Sequence, residues 1–550
     1  FDSAGNIRPD EELQAGFERQ QYVLERMLSN DFITKEQFEE AKKFDIKGAY
    51  TKQKYSEYTD YPYIRDEVTS SVAEILAEQT AKKNNREEEF KNDSDYRNEL
   101  IEKSRIKFIT GGYKVKTTLD KKLYDTLQET KKQFASYPTY TQGGVVYPLE
   151  IGASVIENST GKVLAFIGGM DYKKQQLNHA TRTRRSPGST IKPLLVYGPA
   201  IDKGYITPNS TVLDKRFNHY GWKPENYDMS QRGYLPAREA LARSLNLPTV
   251  RLYSAFYKED PVTNYLEKMG VEGLTESDKT NLATAIGGMT YGLSVTENTS
   301  AFSTFANKGE HKKAHIIEEI ENNDGELVYK ADFSPVKVFE ESTSYLIVNM
   351  LGDVINKSYG LSHDMPSKLK FNSKNLFVKT GTSEYYNDLW VVGGSTKITV
   401  GLWNGYDSPA KVPSYDYAQR SWVAVMNAIY ALDKNLIAPD TAFSRPKSVV
   451  DANINGYNNA KGGTKDIVPN GFKELSKEKT LAKFGYNIDK GISFSDPSKV
   501  DVTKPVQKEE KKDDKDKKDK KEEKEERTVT ITETPPPILK PTVITEEDEE

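Results

Sequence analysis

The chain has no cysteine and five histidines in 550 residues. That absence removes thiol nucleophiles, disulfide frameworks and thiolate metal sites together, and it leaves little for an imidazole-rich metal centre. No metal and no cofactor is expected. Long apolar runs are missing too: none approaches the ~18 residues that cross a bilayer. The opening residues, FDSAGNIRPDEE, have neither the basic nor the apolar region of a signal peptide. Positive charge is not in excess either. Lys and Arg number 78 against 82 Asp and Glu, a net charge of −4, so no nucleic-acid partner is expected. The acidic surplus sits at the end, where residues 508–550 hold 11 basic and 16 acidic side chains.

What is present reads as several modules, since the length corresponds to roughly three or four average domains. The segment ERQQYVLERMLSNDFITKEQFEEAKKF reads as two helices. Leu24, Met27 and Leu28 share one face of the first, and Phe38 and Ala41 one face of the second. Thr34 and Gln37 have the spacing of a capping box, with Ile33 and Phe38 as its hydrophobic staple. A helix carrying Val68, Val72, Ile75 and Leu76 follows, then a charged run from Lys82 to Glu102 with the look of linker helices. From Gly111 the texture changes. GGYKVKTTLD suggests a short strand leading into a helix, and GASVIENSTGKVLAFIGG two strands around an Asn158–Gly161 turn. Residues 189–307 read as mostly helical with Pro and Gly breaks. Segments 375–382, 389–394 and 398–405 read as three antiparallel strands, and AQRSWVAVMNAIYAL as an amphipathic helix able to cover them. The expected class is α+β: a central antiparallel sheet covered by helices, with a large helical insert. The tail carries twenty consecutive charged residues, Lys508 to Arg527, and cannot bury enough apolar surface to fold alone.

Chemistry is suggested by Ser189-Thr190-Ile191-Lys192, which follows Pro187-Gly188 and opens a helical stretch. Hydroxyl and amine then lie one turn apart on the same face. A lysine serves as a base only when neutral, so it needs burial or a nearby cation. Spacing alone decides nothing, because seven other Ser-x-x-Lys pairs occur, from Ser104/Lys107 to Ser476/Lys479. Ser189 differs in having company in order: Ser244-Leu245-Asn246, then Lys379-Thr380-Gly381-Thr382 on a strand. Ser-x-x-Lys, Ser-Asp-Asn and Lys-Thr-Gly together form the signature of serine β-lactamases and penicillin-binding proteins, and here the middle triad is Ser-Leu-Asn. A hydroxyl and an amide facing a strand with Lys and Thr would clamp an extended peptide ending in a carboxylate. Gly381 would let substrate backbone approach. A second Ser-x-Asn, Ser373-Lys374-Asn375, leads into the same strand and cannot face it across a cleft. Other signals are weaker. His311 and His315 are four apart in a strand-turn-strand segment without a third ligand. No Gly-x-Ser-x-Gly elbow or phosphate loop occurs. Asp388 and Trp390 are accounted for by a turn and a core.

At these residues the sequence resembles the class A penicillin-binding proteins, over roughly residues 110 to 450. The stretches that carry the resemblance are TTLDKKL, ENSTGKVLAFIGGMDY, RRSPGSTIKP, KPENYD, GYLPAREALARSLNLPTV, AIGGMTYGLSVTENTSAFSTFANKG and KTGTSEYYNDLWVVGG followed by GLWNGYD. The resemblance implies a penicillin-binding/serine β-lactamase-like transpeptidase fold and a serine D,D-transpeptidase activity on peptidoglycan stem peptides ending in D-Ala-D-Ala. It implies Ser189 as nucleophile, Lys192 as its base and Ser244 as proton relay. Asn246, Lys379, Thr380, Gly381 and Thr382 become substrate-binding residues. The backbone N–H groups of Ser189 and Thr382 become the oxyanion hole. β-Lactams would acylate Ser189.

The implied organisation is a glycosyltransferase remnant over 1–46, a linker region over 47–144 and the transpeptidase domain over 145–450. A C-terminal extension over 451–500 and a disordered tail over 501–550 complete it. The family's Glu-Asp-x-x-Phe glycosyltransferase motif and N-terminal anchor are not found, so transglycosylation is not expected of this polypeptide. The implied location is the extracytoplasmic face of a bacterial membrane, with other cell-wall synthesis proteins as partners. Two other readings use the same cleft: a D,D-carboxypeptidase or β-lactamase, and a non-catalytic β-lactam sensor.

Overall fold

A computed structural model describes residues 10–44, 60–454 and 464–473. Helices α1 (Asp10–Ser29) and α2 (Lys35–Lys43) form the expected hairpin. Thr34 accepts from the Gln37 N–H through its hydroxyl, and the Gln37 side chain accepts from the Thr34 N–H, which closes the capping box. Phe38 is the side chain this pair buries.

Helix α3 (Pro62–Lys83) starts on a proline, whose missing N–H costs nothing at that position. Its Tyr63, Val72 and Leu76 join Leu123, Tyr124 and Leu127 of α4 (Lys121–Lys131) in one core with the main sheet. Much of the stretch expected as a linker is therefore structural support for the sheet.

The sheet has five strands: β1 (Glu150–Glu157), β2 (Val163–Ile167), β3 (Phe377–Thr382), β4 (Asp388–Gly394) and β5 (Ile398–Gly405). Their order is β3–β4–β5–β1–β2, antiparallel throughout. Successive side chains point to opposite faces, and both faces are covered. Val378, Val391, Val400 and Leu402 meet α3, α4 and α9 (Asp416–Leu432) on one side. Phe377 and Val392 meet the helical insert on the other. Burial on both faces explains why β4 and β5 read as nearly unbroken apolar runs.

The insert contains α5 (Ala237–Ala242), α6 (Asn246–Ser254), α7 (Val295–Ala306) and, after a further hairpin, α8 (Glu341–Asn356). It is less helical than the sequence suggests. Thr211–Asp214 pairs with Gly233–Pro236 as an antiparallel ribbon, because four-residue apolar segments carry too little periodicity to separate strand from helix. The segment around His311 is strand-turn-strand as expected, Ile317–Glu321 pairing with Leu327–Lys330 and, on its other edge, with Lys114–Thr117. Val449–Ile454 pairs with Thr464–Pro469 at the start of the expected C-terminal extension. The charged tail lies outside the described residues. Among the described residues no helix is long and apolar enough to cross a membrane.

Candidate active site

Ser189 lies in a 3₁₀ turn, Gly188–Thr190, that runs into a wide turn over Lys192–Tyr197. There the Gly198 N–H reaches back five residues to the Pro193 carbonyl. Wide turns of this kind recur at functional sites. The turn is pressed against the end of β3. Gly188 has φ +50°, and a Cβ there would lie 2.4 Å from the Thr382 carbonyl oxygen. Gly381, expected to admit substrate backbone, also seats the turn: a Cβ there would meet the Pro187 carbonyl oxygen at 2.6 Å. Its missing side chain is room already taken by protein.

Three further contacts hold the turn. The Thr190 hydroxyl donates to the Pro187 carbonyl (2.8 Å) and accepts from the Asn298 amide of α7 (2.8 Å). The Trp390 indole N–H donates to the Ser186 carbonyl at 2.8 Å. Arg185 donates to the carbonyls of Tyr406 and Asp407 at 3.2 and 3.3 Å. Asp388 accepts from the Trp403 indole (3.0 Å) and the Ser383 hydroxyl (2.8 Å). Asp388 and Trp390 thus have the structural roles expected of them, Trp390 tying the Ser189 turn to β4 and Asp388 closing the 383–388 turn and joining it to β5.

The second segment sits on an unusual backbone. After α5, the Ser244 N–H bonds the Leu241 carbonyl and the Leu245 N–H the Ala240 carbonyl, each at 3.0 Å. This is the helix-ending pattern that normally takes glycine at the left-handed position. Here the position is Ser244, with φ +55°. Such a conformation costs on the order of 1–3 kcal/mol, and it aims the Ser244 hydroxyl between two lysines. No pattern in the sequence marks this strain, because the telltale glycine is not there.

Lys192 is fully buried. Its ammonium donates to the carbonyls of Ser244 (2.6 Å) and Leu245 (3.1 Å) and to Asn246 Oδ1 (2.7 Å). Three acceptors use all three N–H bonds, which is the arrangement of the protonated amine. That proton is easily lost: burial first, then the Lys379 charge, hold Lys192 well below the ordinary lysine pKa, against a smaller opposing pull from Asp214. Lys379, also fully buried, donates to Ser244 Oγ (2.8 Å) and to the Thr380 carbonyl (2.7 Å). Burial pushes its pKa down to about 7.

The half-buried Ser189 hydroxyl and the side-chain hydroxyls of Thr380 and Thr382 make no hydrogen bond among the described residues. Lys192, Ser244, Asn246 and Lys379 thus form one hydrogen-bonded cluster, and the turn that carries Ser189 leads directly into Lys192. Where described, the lysines of the other Ser-x-x-Lys pairs are exposed, apart from half-buried Lys162. Ser373 bonds Asn356 and Asn375 bonds the Pro439 carbonyl, away from the cleft. His311 bonds the Thr304 hydroxyl while His315 bonds the Lys313 carbonyl, and among the described residues no group of three His, Cys, Asp or Glu side chains is gathered that could hold a metal ion.

The family model for the penicillin-binding protein transpeptidase domain matches residues 151–415. That stretch is a penicillin-binding protein transpeptidase domain. Penicillin-binding protein 4 of Bacillus subtilis is 30% identical over 395 residues, 72% of this chain and 60% of that protein. The chain spans about half the length of other curated penicillin-binding proteins it matches. Among solved structures, penicillin-binding protein 1A from Haemophilus influenzae superimposes with a TM-score of 0.58 at 18% identity, covering 84% of this chain and 83% of that one. The PonA1 protein of Mycobacterium tuberculosis, solved with penicillin V, gives 0.50 at 19% identity, covering 60% and 90%. These structural likenesses concern the fold. The matched stretch begins in β1 and ends just before α9, so α3, α4 and α9 buttress the sheet from outside it.

Proposed function

We propose that this domain is a serine D,D-transpeptidase that crosslinks peptidoglycan stem peptides through an acyl-enzyme on Ser189, in a class A penicillin-binding protein acting outside the cytoplasmic membrane. The observation that carries the reading is a buried lysine three residues after an unbonded serine, with a second buried lysine across the shared Ser244 hydroxyl.

Neutral Lys192 takes the Ser189 proton as Oγ attacks the carbonyl carbon of the penultimate D-Ala. The oxyanion that forms is met by the backbone N–H groups of Ser189 and Thr382. Collapse breaks the peptide bond, and the leaving nitrogen needs a proton. Ser244 Oγ supplies it: a hydroxyl that accepts from Lys379 keeps its own hydrogen for the cleft, and it is replenished from Lys192, whose Nζ lies 3.5 Å away. The Lys379 ammonium and the Thr380 and Thr382 hydroxyls receive the terminal carboxylate. An amine from a neighbouring strand then attacks the ester, its proton leaves by the same relay, and Ser189 is restored. A β-lactam enters by the first half of this path and stops at the ester.

Intact mass after incubation with a penicillin tests the reading. One equivalent of adduct on the parent, persisting for many minutes and absent from Ser189→Ala, is the expected result. An adduct retained in Ser189→Ala moves the nucleophile elsewhere, and rapid release as penicilloate turns the reading to a hydrolase.

A further inference from the structure

Asn246 can steer Lys192 only if its amide is held the right way round, with oxygen towards the lysine. Two residues of a distant loop do this holding. The Asn246 Nδ2 donates to the Glu225 carbonyl at 2.7 Å. The backbone N–H groups of Asn246 and Leu247, at 2.8 and 3.2 Å, both donate to Asn226 Oδ1. These N–H groups open α6, and Leu245 before it supplies no side-chain cap. Asn226 therefore caps the helix from another part of the chain, satisfying donors that every helix start leaves open.

The cap is itself fixed. Asn226 Nδ2 donates to Asp214 Oδ1 (2.7 Å) and to the Ser230 carbonyl (2.9 Å). Its oxygen meets only donors and its nitrogen only acceptors, so the amide has one satisfiable orientation. Asn226 is 1% exposed and Asp214 0%. The other Asp214 oxygen accepts from the Arg232 N–H at 2.9 Å, with the Arg232 guanidinium 3.7 Å away. The line from Asp214 through Asn226 to the start of α6 thus ends at the acceptor that Lys192 uses.

We propose that Asn226, oriented by Asp214, is a positioning residue for acylation: it sets the Asn246 amide and the turn carrying Ser244 so that Lys192 faces Ser189. This rests on the assignment of Lys192 as the base. Without the Asn226 side chain the start of α6 is uncapped and only the Glu225 carbonyl is left to orient the Asn246 amide, so its oxygen is held less firmly towards the lysine.

The test separates the acylation rate constant from the binding constant for a penicillin, with each variant's folded fraction taken from its melting curve. Asn226→Ala is expected to lower the acylation rate constant about 10²-fold, the scale of a ~1 Å misplacement, while binding is unchanged. Asn226→Asp alone places two carboxylates face to face and is expected to be as slow at neutral pH. Adding Asp214→Asn to Asn226→Asp puts a donor opposite the new carboxylate at unchanged net charge, though the Ser230 carbonyl still faces it, and is expected to recover part of the loss. A parental rate in folded Asn226→Ala, or an exchange variant no faster than Asn226→Asp, overturns the proposal. An adduct surviving in Ser189→Ala would overturn the assignment of the nucleophile and leave the Asn226 result to stand or fall on its own rates.

Discussion

Lys192 and Lys379 are buried without a carboxylate in hydrogen-bonding reach; their ammonium groups are held by carbonyls, an amide oxygen and a hydroxyl. Elsewhere against the same sheet, buried His179 is treated oppositely. Its Nε2 bonds Asp407 at 2.7 Å and its Nδ1 the Gly168 carbonyl at 2.9 Å. Both partners are acceptors, so both ring nitrogens carry hydrogen and the ring is an imidazolium. Burial opposes that charge, but the Asp407 bond, with the Asp407 and Glu150 charges and the Gly168 carbonyl, outweighs it and raises the His179 pKa. The ring stacks on Trp403 at 5.5 Å, and Arg185 lies over the other ring system of that contact, 5.4 Å from Trp403. Equal burial therefore yields opposite outcomes. Paired with a carboxylate, a buried cation holds its proton more tightly; held by neutral acceptors beside another cation, it holds the proton less tightly.

The sharpest way to break this contrast is Lys192→Arg. A guanidinium keeps the charge but cannot be neutralised at working pH. Acylation of Ser189 by a penicillin is expected to fall by about 10²–10⁴-fold, the usual worth of a positioned base. Near-parental acylation would show that a neutral amine is not needed.

His179→Gln tests the other region. Removing a hydrogen-bonded charge beside Asp407 is expected to cost about 2–3 kcal/mol, read from denaturant unfolding at pH 6. The sign with pH is defined. A raised folded-state pKa contributes stability that is complete below the unfolded value near ~6.5 and is lost as pH rises through the folded value. The gap between parent and variant should narrow on raising the pH, and a gap that widens would mean that the ring is neutral.

A smaller effect sharpens the description of the cleft. With the Lys379 pKa at about 7, the cation that receives a carboxylate is lost above that pH. The second-order acylation constant for a carboxylate-bearing β-lactam is expected to fall about fivefold between pH 7 and 8, as the protonated fraction drops from about one half to about one eleventh, since that constant reports the free enzyme. A profile flat to pH 9 would place Lys379 in the ordinary lysine range.

The sequence by itself determined what depends on local spacing and periodicity. The capping box at Thr34, the apolar runs of β3 to β5, the α9 amphipathic helix and the three ordered motifs are all short-range patterns, and each points to the element or site where it is found. Residues 211–214 and 233–236 were illegible because four residues hold barely one helical turn and only two strand periods, too few to tell one from the other. What only the tertiary structure decided involves partners far apart in the chain or a backbone state that composition does not encode. Asp407 is 228 residues from His179, and Ser244 occupies a turn that ordinarily announces itself with glycine. Gly381 turned out to seat the Ser189 turn, and Asn226 caps a helix from twenty residues upstream. The physical reason is common to all four: burial and hydrogen-bond satisfaction are settled only when the chain has closed, so proton affinity and side-chain orientation belong to the assembled cleft and not to any segment of it.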